Sequence, residues 1–174
     1  MAKTQNRTRQ MVEMALFIAA DIVLTRFASL QFWNFRLGFS FVVIAIAGMR
    51  YGVTPALIVA IVSDLIGATL FPSGQFFVGF TISAALDALV YGFLFHRKLS
   101  LSRILAAAAL TQFVVSLLIQ TLWISILYDN PYAIVLYSRI PTTLLMAAVK
   151  IVVLLAISKS PLYALLRDPN YSEE

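Results

Sequence analysis

The chain has 174 residues, of which 61% are hydrophobic and only 12% charged, with a mean hydropathy of +0.90; a soluble domain is about 45–50% apolar and about 25% charged, so the departure points to a membrane protein. The absence of cysteine excludes disulfides, thiolate catalysis and thiolate metal sites together. The net charge of +5 does not point to nucleic acid, because the basic residues flank apolar runs instead of forming a stripe on a soluble face, and it reads as membrane topology.

Residues 1–9 are basic and lead into an apolar run that continues to about Leu30 without a small-x-small cleavage site. They read as the lead-in to an uncleaved first span. At roughly 17–25 residues per span, the first helix falls at about residues 10–29. Phe32, Trp33, Asn34, Phe35 and Arg36 follow as a loop with interfacial aromatics. A second apolar run, 37–49, ends at Arg50-Tyr51-Gly52 and is thin for a span, so it needs part of the preceding loop or shielding by its neighbours. The third helix starts near Val53-Thr54-Pro55, where proline is tolerated in a first turn, and runs to Leu70. A turn from Phe71 to Phe77 leads into the fourth helix, 78–95, which stops at His96-Arg97-Lys98. Ser100 or Ser102 is placed to cap the fifth helix, 101–127. Tyr128-Asp129-Asn130-Pro131 breaks it, a loop continues to about Tyr137, and Arg139 and Pro141 open a sixth helix ending near Ser158.

The expected fold class is all-α, a compact bundle of six transmembrane helices forming one membrane domain over residues 1–174, with residues 1–9 and the tail 159–174 in the cytoplasm. An even number of spans puts both termini on one side. That side would hold Lys3, Arg7, Arg9, Arg50, Arg97, Lys98, Arg103, Lys159 and Arg167, and the other chiefly Arg36 and Arg139, which orients the termini inward. The loops after the first, third and fifth helices then face outward.

Glu13, Asp21, Arg26, Asp64, Asp87 and Lys150 lie inside predicted spans. Ionisable groups there are costly and mark functional positions unless they snorkel to an interface. Glu13 and Lys150 read as snorkelling, and Asp87 as a structural partner. Asp64 shares one helix face with Gly67, Ala68 and Phe71 at i, i+3, i+4 and i+7. That face suits either an outward-facing cavity or a buried ion pair with Arg26.

Gln112, Ser116, Gln120 and Trp123 form a polar stripe on the fifth helix, and such stripes are ordinarily packing contacts. Gly74 and Gly79 allow close backbone approach, with Phe71, Phe76, Phe77 and Phe80 around them. Rings with a few convergent polar groups suit a flat heterocycle. Arg26, Arg36 and Arg139 are placed to pair with carboxylates. The lone His96 belongs with the basic cluster at the cytoplasmic edge and offers no metal site. Ala15 and Ala19 put two small residues one turn apart on the first helix.

Four segments carry a resemblance to a known family: Arg36-Leu-Gly-Phe-Ser-Phe41, Ile44-Ala-Ile-Ala-Gly-Met49, Ser63-Asp-Leu-Ile-Gly-Ala-Thr-Leu-Phe-Pro72 and Gly79-Phe-Thr-Ile-Ser-Ala84. Together with the length and the Ala15/Ala19 pair, the chain resembles the substrate-binding S components of energy-coupling factor transporters, and among them the folate-specific members. Where the usual pattern after Arg-x-Gly-Phe-x-Phe has proline, this sequence has Val42. The resemblance implies six helices, a vitamin site near the outer face, and capture of folate for ATP-driven uptake across the bacterial cytoplasmic membrane. It implies as partners a transmembrane coupling subunit, contacted by Ala15 and Ala19, and two ATP-hydrolysing subunits. The site it implies draws on Arg26, Arg36, Phe39, Asp64, Gln75, Phe77, Phe80, Thr81, Gln120, Trp123, Tyr137 and Arg139. No resident cofactor is expected beside the folate ligand.

Residue chemistry agrees with such a ligand: Asp64 would accept two adjacent pterin donors, Phe77, Phe80 or Trp123 would stack on the ring, and an arginine would meet the glutamate tail. The chain has no Gly-x-x-x-x-Gly-Lys-Ser/Thr loop to cradle ATP phosphates, so hydrolysis belongs to another chain, and this one is not an enzyme. Two rival readings are an S component for another aromatic vitamin or precursor, such as a thiamin precursor, and a self-standing carrier coupling protons through Asp64 and Asp87.

Overall fold

The protein is seen in a computed structural model that describes residues 2–27, 30–32, 35–71, 77–96, 99–160 and 163, with side chains described from residue 8 onward except in 30–32 and 35–37. The elements are α1 (Ala2–Arg26), β1 (Leu30–Phe32), β2 (Phe35–Leu37), α2 (Ser40–Tyr51), α3 (Val53–Leu70) and α4 (Val78–Phe95), then α5 (Leu101–Tyr128) and α6 (Tyr132–Lys159). The last four helices are each long and apolar enough to cross a membrane, whereas α2 is a shorter apolar helix of 12 residues.

Apolar runs bounded by breakers give α3 and α4 the limits the sequence leads one to expect. Gly52, at φ +81, separates α2 from α3, and the His96 ring packs against it. Asp129 ends α5 in the left-handed conformation at φ 50, a region that aspartate tolerates better than most side chains. Val42, standing where the family pattern has proline, uses its backbone N–H to donate to the Phe39 carbonyl at 3.0 Å.

Three expectations are corrected. The segment after α1 is a hairpin, not a plain loop: β1 and β2 pair antiparallel with Leu30 opposite Leu37, Gln31 opposite Arg36 and Phe32 opposite Phe35. The sixth helix begins at Tyr132, so Pro141 lies inside it instead of opening it. Pro131 already supplies the N-cap, and an internal proline is tolerated in a membrane helix where neighbours satisfy the freed backbone. Lys150 does not snorkel: it is only 5% exposed, because Thr111 of α5 accepts its proton at 3.2 Å and the Phe41 ring of α2 lies 5.6 Å from its ammonium.

Helix α1 packs on α2 and α3, both α2 and α3 pack on α4, and α5 links α4 to α6. The core runs through Phe41, Ile44, Ala45 and Ala47 of α2, Ala56, Val59 and Ala60 of α3, Ala88, Tyr91 and Phe95 of α4, and Ile104 and Leu154. Alanines and glycines dominate where helices touch because dispersion and close backbone approach, not the hydrophobic effect, join helices in lipid. A Cβ on Gly92 would sit 2.6 Å from the Val53 Cα, and one on Gly48 would sit 2.9 Å from the Gly92 nitrogen. Those obstacles are backbone, so Gly92→Ala should destabilise the bundle by about 1–3 kcal/mol. Thermal unfolding in detergent reads this directly, and an unchanged midpoint would contradict the close crossing.

Residues Leu110–Ile119 in the middle of α5 are π-helical, a geometry uncommon beyond single turns and frequent near functional sites. The wider turn rephases the helix. Thr111, Gln112, Val115 and Thr121 are buried, and Ser116, Gln120 and Trp123, which with Gln112 make up the polar stripe, are partly buried. At one end of the bundle Glu13 pairs with Arg50 at 2.8 Å and with Arg9 at 2.9 Å and accepts from the Tyr51 hydroxyl.

Candidate functional site

The opposite end gathers the remaining polar and aromatic groups. It is formed by the end of α1, the hairpin, the start of α2, the end of α3, the start of α4, the end of α5 and the start of α6. Asp64, half-buried on α3, accepts from the Thr81 hydroxyl of α4 at 2.6 Å through Oδ2. This ties the two helices just below their connection and holds one carboxylate oxygen. One turn beyond Asp64, Gly67 faces the Arg26 guanidinium, whose Nε would stand 2.9 Å from a Cβ there. Glycine at that position leaves the guanidinium room, which a side chain would take from it. Phe27 and Phe71 meet edge to face at 5.5 Å above them.

Alongside lies an aromatic group: Phe77 is 6.1 Å from Phe80 and 5.7 Å from Trp123, centroid to centroid. The Trp123 indole N–H donates to the Ser83 hydroxyl at 3.2 Å. Across α5 and α6, Arg139 donates from Nη2 to the Gln120 side-chain oxygen at 3.4 Å, while its buried Nη1 has no hydrogen-bond partner among the described residues. A buried guanidinium with spare donors is suited to a carboxylate, which it binds with charge-assisted bonds.

The structure thus brings Arg26 beside the Asp64 face, pairs Asp64 with Thr81, groups Phe77, Phe80 and Trp123, and joins Gln120 to Arg139. Arg36 is on β2, a strand that packs against α6. Phe39 caps α2 and packs on the hydrophobic core, its ring 6.4 Å from that of Phe41. Tyr137, two residues before Arg139 on α6, is 71% exposed and points away from the face that carries Arg139, since two residues turn a helix by about 200°. Gln75, Gly74 and Phe76 lie outside the described residues. Ala15 and Ala19 are exposed on α1, beside Met11, Leu16 and Val23. Among the described residues no group of three or more His, Cys, Asp and Glu side chains is placed to hold a metal ion.

Sequence reasoning left two positions without a role. Asp21 is 4% exposed and accepts from Ser40 of α2 at 2.5 Å and from Ser63 of α3, so one carboxylate joins three helices at the base of the hairpin. Ser63 adjoins Asp64, which sets the height of that acid on α3. The second is Ser83, buried at 0% exposure one turn after Gly79. An intramembrane acid and a serine one turn from a glycine are visible in the sequence, but their partners lie 19 to 42 residues away.

A family model described as "ECF transporter, substrate-specific component" matches residues 9–158. The chain belongs to this family. Among curated proteins, it is 36% identical over 145 residues to the "Folate transporter FolT" of Clostridium novyi (strain NT), covering 83% of this chain and 84% of that protein. It is 32% identical over 127 residues to the "Folate transporter FolT" of Leuconostoc mesenteroides, covering 72% of this chain and 68% of the other. Among solved structures, "Crystal structure of FolT bound with folic acid" superposes with a TM-score of 0.82 at 25% identity, over 87% of this chain and 93% of that one. With four helices apolar and long enough to span, this substrate-specific component is a multi-pass membrane protein.

Proposed function

We propose that the chain is the folate-binding subunit of an ECF transporter, taking folate at the end where Asp64, Trp123 and Arg139 gather. The observation that carries this reading is the superposition on a folic-acid-bound FolT over nearly the whole of both chains. The site chemistry supports it. Asp64 would meet the paired donors of the pterin, with Thr81 holding its Oδ2. Phe77, Phe80 and Trp123 would flank the ring, and Arg139, fixed through Gln120, would take a glutamate carboxylate on Nη1, which has no hydrogen-bond partner among the described residues. Arg26 and Arg36 would add positive charge for the second carboxylate, with Phe39 and Tyr137 at the margin.

In this reading α1 and α2 also cross the membrane, giving six spans in one domain with both termini in the bacterial cytoplasm, and the Asp64 end faces outward. The partners are a transmembrane coupling subunit, docked on the exposed Ala15 and Ala19 face of α1, and two ATP-hydrolysing subunits; no resident cofactor is needed. The single N- and C-terminal side is favoured by the cationic end holding Arg9, Arg50 and Arg103.

Titration calorimetry of the purified protein with folate tests the proposal. Wild type should bind one folate per chain, and Asp64→Ala should weaken binding by about 10- to 100-fold through loss of a charge-assisted contact. A wild-type protein inert to folate, or an Asp64→Ala variant with unchanged affinity, would overturn the assignment. Folate uptake into vesicles lacking any ATP-hydrolysing partner would favour a self-standing carrier instead.

A further inference from the structure

Ser83 and Gly79 stand one turn apart on the inward face of α4. The Ser83 hydroxyl donates to the Gly79 carbonyl at 3.1 Å and accepts the Trp123 indole N–H at 3.2 Å. The side chain has 0% exposure, so water does not compete for that acceptor. At Gly79 a Cβ would lie 2.6 Å from Trp123 Cδ2, 2.7 Å from its Cγ and 2.5 Å from Phe77 Cε1. The indole therefore lies against bare α4 backbone at one point and is tied by its N–H at another. These two constraints fix its position and its rotation. A buried indole N–H requires a partner, and within this aromatic group Ser83 is the one α4 provides.

We propose that Ser83 is a positioning residue of the ligand site: with Gly79 it locks Trp123, and through it Phe77, into a rigid aromatic wall that selects a flat heteroaromatic ring. The inference rests on the folate reading and deepens it by naming what orients the ring-binding surface. Rigid aromatic contacts gain affinity because no rotamer freedom is lost when the ligand arrives. Serine suits the position because it is small enough for the helix contact and presents an oxygen one turn from the glycine.

The test compares wild type, Ser83→Ala, Trp123→Phe and the double variant by calorimetry with folate and with pteroate, which shares the ring system and lacks the glutamate. Each single variant should bind both ligands roughly five- to tenfold more weakly, and the double variant no more weakly than the weaker single one, because both break the same bond. The two tryptophans are Trp33 and Trp123, so in a Trp33→Phe background Ser83→Ala should shift the remaining indole emission and reduce its quenching by folate. Unchanged affinity in Ser83→Ala, multiplying losses in the double variant, or an unshifted emission would overturn the proposal. Should Ser83→Ala fail to fold, wild-type affinity in Trp123→Phe would overturn it equally. A wild-type protein that binds neither ligand strikes the folate reading alone, and the emission measurement then decides whether Ser83 orients Trp123.

Discussion

Lys150→Met should cost about 1–3 kcal/mol of stability, the usual penalty for leaving buried polar groups without a partner. Lys150 sits in the middle of the bundle with its ammonium bonded to Thr111 and over Phe41, and its charge interacts with that of Asp87 on α4. Asp87 Oδ1 is buried with no hydrogen-bond partner among the described residues. Removing the lysine leaves that carboxylate with no compensating charge from α6. The pair sits two turns along α4 from Thr81, away from the Asp64 contact, so the effect belongs to stability first. The variant Asp87→Asn with Lys150→Met should recover part of the loss, since it also removes the buried carboxylate charge that Lys150 offsets. Equilibrium unfolding in mixed micelles measures wild type, Lys150→Met, Asp87→Asn and the double variant, and purely additive losses would show that the two side chains do not act as a unit.

The second large effect is expected at Arg139. Arg139→Ala should weaken folate by about 1.5–3 kcal/mol, roughly 10- to 150-fold, the range for a hydrogen bond to a charged group. It should leave pteroate affinity nearly unchanged, because pteroate has no glutamate carboxylate to lose. Arg139→Lys should restore only part of the loss, since a point charge cannot reproduce two parallel N–H donors. Gln120→Ala should show a smaller loss of the same selectivity, because Gln120 orients the guanidinium through Nη2. Calorimetry with both ligands separates the outcomes: equal losses for folate and pteroate would place Arg139 on the ring, or in the scaffold, and not on the tail.

The contrast between these two residues shows how far the sequence reaches. Arg139 could be singled out because an arginine near a loop of a membrane bundle stands out among apolar residues, and the structure joins it to Gln120. Lys150 was misread because its distance from the helix end says nothing about which neighbours enclose it. Its burial depends on Phe41, 109 positions earlier, and on Thr111, 39 positions earlier. The same limit hid the triple junction at Asp21, whose hydroxyl donors are on α2 and α3. The β1–β2 hairpin escaped because three-residue strands are too short to show an alternation, and the π-helical segment because no residue type marks it.

Composition and the spacing of breakers determined the all-helical membrane class, the limits of α3 and α4, the polarity of the two ends, and the family through four short segments. These properties are local or additive along the chain, since hydropathy and turn chemistry act over a few residues. Tertiary structure alone decided which acid is bonded and to what. It seated Arg26 on Gly67, tied Trp123 to Ser83, widened α5 into a π-helical segment, and enclosed Lys150. Each of these depends on helices separated in sequence meeting at a given height and rotation, and those are set by the packing of small residues across the whole bundle.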